Sequence, residues 1–554
     1  MPFLFFAYFL MAFPFSFRLR LFSLVLLLPV LGAAQNAAPT MPAVLPQQWY
    51  LLDPTTDGVM GVSARKAYTE LLKDRPSAPV VVAVIDAGID TAHADLKRLL
   101  WTNAKEVAGN GKDDDGNGYI DDIHGWNFLG GADGRNINVE SYEDTRLLVR
   151  LKPLYEGKTR NSVPAAKRTE YDLYQQVKKT QAEKVAENSG RVKSLGKSYE
   201  FTKEGADNLR KSLGLARLDT ASLRRVSPTN PNLYRAALGL YSNLREAGYP
   251  DLETVLADMK EGLDETKNQL DFSLNPDFNP RAIIIGDNPE NTKDRNYGNR
   301  DVYGPDPSHG THVSGIIGAD WLNNIGVLGL ANNVRLMAVR AVPNGDERDK
   351  DVANAIRYAV DNGAQIINMS FGKYYSPQRE AVEEAIKYAS TKGVLLVHSA
   401  GNESENMDVK MEYPAPVYLS GQRIPNMITV GASARTNDQS MVADFSNYGK
   451  KNVDVFAPGH QIYSTLPGQQ YGNKSGTSMA SPVVAGMAAV LKSYFPSLTA
   501  TDLKRIILES AVVYHTKVQQ PGTRKEVDFS ELSSTGGLVN LYRAVQLASG
   551  QTLK

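Results

Sequence analysis

The chain has 554 residues, of which 42% are hydrophobic and 22% charged, the composition of a globular protein with ample core. Lys+Arg and Asp+Glu both number 61, so the formal net charge is zero and no basic field marks a nucleic acid as partner. Cysteine is absent, which excludes disulfides, thiolate catalysis and a lipidated N-terminal cysteine but leaves the compartment open.

Two apolar runs, 2–17 and 21–34, open the chain and are split by Arg18 and Arg20. The second ends in Gly32, Ala33 and Ala34, and residues 1–34 read as a signal peptide cleaved before Gln35. Each run falls short of the roughly 20 apolar residues of a spanning helix, so membrane contact is expected only through this segment. Residues 35–78 form an N-terminal extension whose Trp49–Pro54 stretch and helical Ala64–Leu72 pattern are expected to pack on the domain that follows.

That domain begins at residue 79 with the β-branched run Pro79 to Ile85, a buried parallel strand with Asp86 at its carboxyl end. Beyond it, residues 113–122 carry five aspartates around two glycines. Oxygen donors at alternate positions suit a flexible calcium loop, with Asp113, Asp115, Asn117 and Asp121 offering side chains and Tyr119 its carbonyl. His124 stands where an EF-hand needs a bidentate glutamate, so a complete EF-hand is excluded. A structural calcium ion is therefore expected here, with no cofactor for catalysis.

Residues 79–134 form the first part of the domain, 135–295 a helical insertion, 296–548 the second part and 549–554 a tail. Within the insertion, Tyr171–Lys179 and Leu252–Lys267 have helical periodicity with mixed charge on the outer face. After it, strands at Val334–Val342, Gln365–Ser370 and Val394–His398 alternate with helices at Asp351–Asn362 and from Ser376 to Gly393, and a last helix spans Leu538–Ala548. Such alternation predicts an α/β fold, a three-layer sandwich around a mainly parallel sheet.

Three short stretches carry chemistry. Ser308-His309-Gly310-Thr311-His312 places His309 at a helix mouth, and its two histidines lack the His-Glu-x-x-His zinc pattern. Ser399-Ala400-Gly401-Asn402 follows a strand, and Gly476-Thr477-Ser478-Met479-Ala480-Ser481-Pro482 opens a helix whose free N–H groups favour a developing oxyanion. Serine needs a base and the base needs an orienting acid, which His309 and Asp86 can supply.

The order Asp86, His309, Ser478 and the motifs around each residue resemble the subtilisin family of serine endopeptidases over about 80–130 and 300–545. The resemblance implies that Asp86 orients His309, that His309 is the base, that Ser478 is the nucleophile and that Asn402 donates to the oxyanion. It also implies that Ser370, Phe371 and Gly372 pair an extended substrate and line the first specificity pocket, with protein or peptide substrates of broad side-chain character and an apolar preference. The resulting expectation is an exported endopeptidase, periplasmic, on the cell surface or extracellular, of unspecified oligomeric state. The alternative is a catalytically inactive peptide-binding module on the same fold.

Overall fold

The computed structural model describes residues 47–247, 249–323 and 325–553. The expected signal peptide lies outside the described residues. Two compact units divide the described residues; one is Gly157–Asn275 and the other comprises 47–156 with 276–553.

In the larger unit, strands β1 (Val80–Asp86), β2 (Gly125–Asn127), β3 (Val334–Arg340), β4 (Ile366–Met369), β5 (Leu395–Ser399), β6 (Met427–Ser433) and β7 (Val455–Pro458) are followed by a hairpin, β8 (Ile462–Leu466) and β9 (Gln470–Lys474). Next come β10 (Val512–Val513), a second hairpin of β11 (Lys517–Gln519) and β12 (Glu526–Asp528), and β13 (Gly537–Leu538). Nine strands make one sheet in the order β10-β13-β7-β6-β5-β4-β1-β3-β2. Every pair is parallel except β10 with β13. The α/β sandwich read from the sequence is what the chain forms.

The period of two along β1 decides the layers. Val80, Val82 and Val84 join one core with the helices Ser308–Gly318 and Thr477–Tyr494. Ala83 and Ile85 face the opposite core, with the helices Asp349–Asp361 and Arg379–Thr391. Both faces are thus covered, as the parallel strands β1 to β7 require.

The chain ends interlock in the first core. Trp49, Tyr50, Leu51 and Val62 are buried there beside Val539, Leu541, Ala544 and Val545 of the C-terminal segment. Leu541 N–H donates to the Val62 carbonyl, and Asn540 Nδ2 to Ser63 Oγ at 2.9 Å. Residues 47–78 therefore pack on the sheet domain. The expected last helix starts later than its apolar pattern suggests, at Leu541, because Leu538 is taken by β13, which pairs with β7.

Gly157–Asn275 forms a helical unit with its own small core, built on a 46-residue helix, Arg168–Leu213, and the helices Pro231–Ala247 and Leu252–Asn268. It is narrower than 135–295. The flanking residues belong to the sheet unit, where Arg281, 1% exposed, forks onto Asp287 at 2.7 Å and Asp351 at 2.7 Å. Asp351 sits on the helix Asp349–Asp361, so this guanidinium fastens the returning segment to the sheet's outer layer.

Arg281→Ala leaves buried Asp351 without a cation and Asp287 with Lys350 alone, and a loss of about 3–5 kcal/mol is expected. Denaturant unfolding of the purified variant measures it; an unchanged midpoint would show that the fork carries no net stability.

Candidate active site

In parallel α/β sheets the crevice opens beyond the carboxyl ends of the strands. Asp86 ends β1, Ser370 follows β4 and Asn402 follows β5, on three successive strands of the sheet. His309 and Ser478 each lie in the first turn of their helices, and those two helices pack against each other.

His309 Nδ1 lies 2.8 Å from Asp86 Oδ1. Because carboxylate oxygen only accepts, this bond holds the proton on Nδ1 and leaves Nε2 as the basic nitrogen. Asp86 is buried at 2% side-chain exposure whereas the imidazole is 36% exposed, so the acid is shielded and the base reachable. Burial pulls the His309 pKa down, but the neighbouring Asp86 charge and its hydrogen bond outweigh that and raise it above the usual value. His312 differs: its Nε2 contacts the Gly472 carbonyl at 3.1 Å, and burial lowers its pKa to about 3. It is a neutral packing group.

Gly310 explains how the helix reaches β1. A Cβ there would lie 2.2 Å from the Gly88 carbonyl oxygen and 3.1 Å from Asp86 Oδ1. Only bare backbone allows His309 this approach.

Ser478 Oγ is 3.2 Å from the Ser370 carbonyl oxygen, and no hydrogen bond joins it to His309 among the described residues. Its loop is held from below: Ser370 Oγ donates to the Ser478 carbonyl at 3.0 Å, Asn368 Nδ2 donates to Ser370 Oγ at 2.9 Å, and Ser481 Oγ donates to Asn368 Oδ1 at 2.9 Å. Asn402 Oδ1 accepts from Thr477 N at 2.8 Å and Thr477 Oγ1 at 3.0 Å. That orients the amide so that Nδ2, which has no acceptor among the described residues, is available beside the serine.

Ser370 and Phe371 are buried and Gly372 half-buried where β4 leaves the sheet. His398 Nε2 contacts the Phe371 carbonyl at 2.8 Å and fixes this edge.

The acidic loop gathers a different set from the one expected. Glu106, Asp113 and Asp115 bring one carboxylate oxygen each within 4.8 Å of the others, and all three are half-buried. Asp121 faces elsewhere: its oxygens accept from Gly109, Asn110 and Gly111 N–H groups and from Arg300. That correction follows from charge pairing, since Arg300 already neutralises Asp121. Asn117 Oδ1 accepts from Tyr119 N at 2.8 Å, and the Tyr119 ring is buried against Trp126 and Tyr358. Glu106 escaped the sequence reading because it precedes the aspartate run and shares no spacing with it.

The Subtilase family model matches residues 77–531. A thermophilic serine proteinase of Bacillus sp. (strain AK1) is 44% identical over 187 residues, 34% of this chain and 43% of its own. Subtilisin Savinase of Lederbergia lenta is 36% identical over 245 residues, 43% of this chain and 80% of its own. An alkaline protease of Alkalihalobacillus alcalophilus is also 36% identical over 245 residues, 43% of this chain and 56% of its own, so the chain spans about half the length of that relative and of the Bacillus proteinase. With a parallel sheet that carries Asp86, Ser370 and Asn402 at its carboxyl edge, and a family match over four-fifths of its length, the chain belongs to the subtilase family.

Proposed function

We propose that this chain is an exported serine endopeptidase in which Asp86, His309 and Ser478 act as a triad. The observation that carries the reading is the 2.8 Å bond from His309 to a buried Asp86, next to a serine at a helix mouth and an asparagine amide with a free Nδ2. His309 Nε2 takes the Ser478 proton as Oγ attacks the peptide carbonyl. Asn402 Nδ2 and the Ser478 N–H hold the oxyanion, His309 then protonates the departing amine, and water releases the acyl-enzyme. The substrate is protein or peptide, its backbone laid along Ser370–Gly372 as an added strand. No helix among the described residues is long and apolar enough to cross a membrane, and export rests on the 1–34 segment.

A structural calcium ion fits the loop by its donor chemistry. Three half-buried carboxylates converge there, and none has an ion-pair partner among the described residues. Such hard oxygen donors repel one another unless a cation joins them. Glu106, Asp113 and Asp115 would hold it.

Ser478→Ala is expected to abolish fluorophosphonate labelling and reduce peptide cleavage by about 10⁴-fold or more, with the far-UV spectrum unchanged. Cleavage at the wild-type rate in the purified variant would sink the triad.

Only neutral His309 can serve as base, and its pKa is raised, so activity is expected to fall as pH drops through a midpoint above about 6.5. Asp86→Asn removes the charge responsible, and the midpoint of its residual activity should move down. A pH–rate profile of both proteins measures this, and an unmoved midpoint would detach Asp86 from the base.

Chelation is expected to lower the thermal midpoint, by a stability loss of about 2.7 kcal/mol when calcium had been present at a hundredfold excess over its Kd. Asp115→Asn should erase the calcium-dependent part. A midpoint indifferent to chelator would leave the loop as an acidic turn held by its own backbone.

A further inference from the structure

Beyond Ser478 a slot runs between the segments that leave β4 and β5. Its walls are glycine on both sides: a Cβ on Gly372 would sit 2.2 Å from Glu412 Oε1, and one on Gly401 would sit 1.8 Å from Glu412 Oε2. The Glu412 carboxylate therefore lies between the two walls with one oxygen turned to each. Neither wall position could carry a side chain without meeting that carboxylate.

Glu412 is 4% exposed. Its Oε2 accepts from Asn447 Nδ2 at 3.0 Å, whereas Oε1 accepts no hydrogen bond among the described residues. At the mouth stands Glu403, whose Oε2 accepts from the Asn402 N–H at 2.9 Å, from Tyr374 OH at 2.9 Å and from Asn447 Nδ2 at 3.0 Å. Neither glutamate has an ion-pair partner among the described residues. The nearby cations are engaged elsewhere: Lys373 with Glu143 and Asp349, Lys410 with Glu405, and Arg379 with Glu383.

A buried carboxylate with one neutral donor is an unmet demand for positive charge. Burial first, and the Glu403 charge next, push the Glu412 carboxyl well above its usual range. An ammonium or guanidinium entering the slot reverses that balance and draws the proton off.

Under the proposed mechanism, the scissile carbonyl carbon lies at Ser478 Oγ and its oxygen at Asn402 Nδ2, which sends the side chain before the scissile bond between Ser370–Gly372 and Ser399–Asn402. We infer that Glu412 makes this protein an endopeptidase selective for cleavage after lysine or arginine, with the slot between Gly372 and Gly401 receiving the cationic side chain and Glu403 guiding it at the mouth. This rests on the serine-endopeptidase reading and replaces the apolar first pocket expected from sequence. Glu412 is a specificity determinant and takes no part in bond breaking.

The test compares fluorogenic peptide amides that differ only in the residue before the scissile bond: Lys, Arg, Leu or Phe. Wild type is expected to favour Lys and Arg by tenfold or more in kcat/KM. Glu412→Gln should cut the Lys-to-Leu ratio about ten- to hundredfold, the scale of a lost charge-assisted bond. Inhibition of wild type by a peptide argininal against the matching phenylalaninal gives a second readout that needs no variant, and the argininal should bind more tightly. Cleavage after Leu and Phe as fast as after Lys, or a ratio unmoved in folded Glu412→Gln, overturns the inference while leaving the endopeptidase intact. Failure to cleave any of the four peptides, together with no fluorophosphonate labelling, overturns the parent reading and the inference with it.

Discussion

Everything at the sheet's carboxyl edge depends on one close approach, the bare backbone of Gly310 passing over the end of β1. The His309 helix has to come within contact of Gly88 and Asp86 to place an imidazole on a buried carboxylate, and any side chain at Gly310 would lift it away. The same helix is fixed from its other side by Ser464 Oγ, which donates to the His312 carbonyl at 2.8 Å, and by Thr465 Oγ1, which donates to the Thr311 carbonyl at 2.7 Å. Packing against the Ser478 helix completes the set, so the positions of Asp86, His309 and Ser478 are all consequences of how helices settle on one edge of a parallel sheet.

Buried charge is used in two ways in this molecule. Where it joins parts of the chain, it is paired: Arg281 with Asp287 and Asp351, Lys350 with Asp287 at 2.6 Å, and Lys373 with Glu143 at 2.8 Å. Desolvating such groups is costly, and pairing offsets the cost. Where carboxylates are left without cations, as at Glu106, Asp113 and Asp115 or at Glu412, backbone N–H donors or a retained proton meet part of the cost, and an incoming cation would meet more of it. Both sets are places where ligand binding is proposed, although Asp122 and Glu347 are also buried without an ion-pair partner among the described residues.

The sheet was legible from sequence because burial on both faces writes itself as continuous β-branched runs, of which Pro79 to Ile85 is the clearest. The stretches around Asp86 and His309 stood out because Gly88 and Gly310 are dictated by close backbone contact, and those around Asn402 and Ser478 because they follow a strand and open a helix. Other features left no such trace. The helix Arg168–Leu213 is far longer than the nine residues whose period stood out, since most of its surface faces solvent and needs little apolar stripe. Glu412 belongs to no motif and becomes meaningful only when folding sets it between two glycines distant from it in sequence. Asp121 looked like its neighbours until the fold set Arg300 beside it.

The interlocked ends have a consequence for the order of events during synthesis. Trp49, Tyr50 and Val62 wait for Val539, Leu541 and Val545, and β7 gains its outer neighbour only from β13. A nascent chain that has not yet reached residue 537 has its main core open at one side and the edge of its sheet uncovered. The sheet domain therefore closes only once residues 537–548 have been made, long after the strands and helices that they complete.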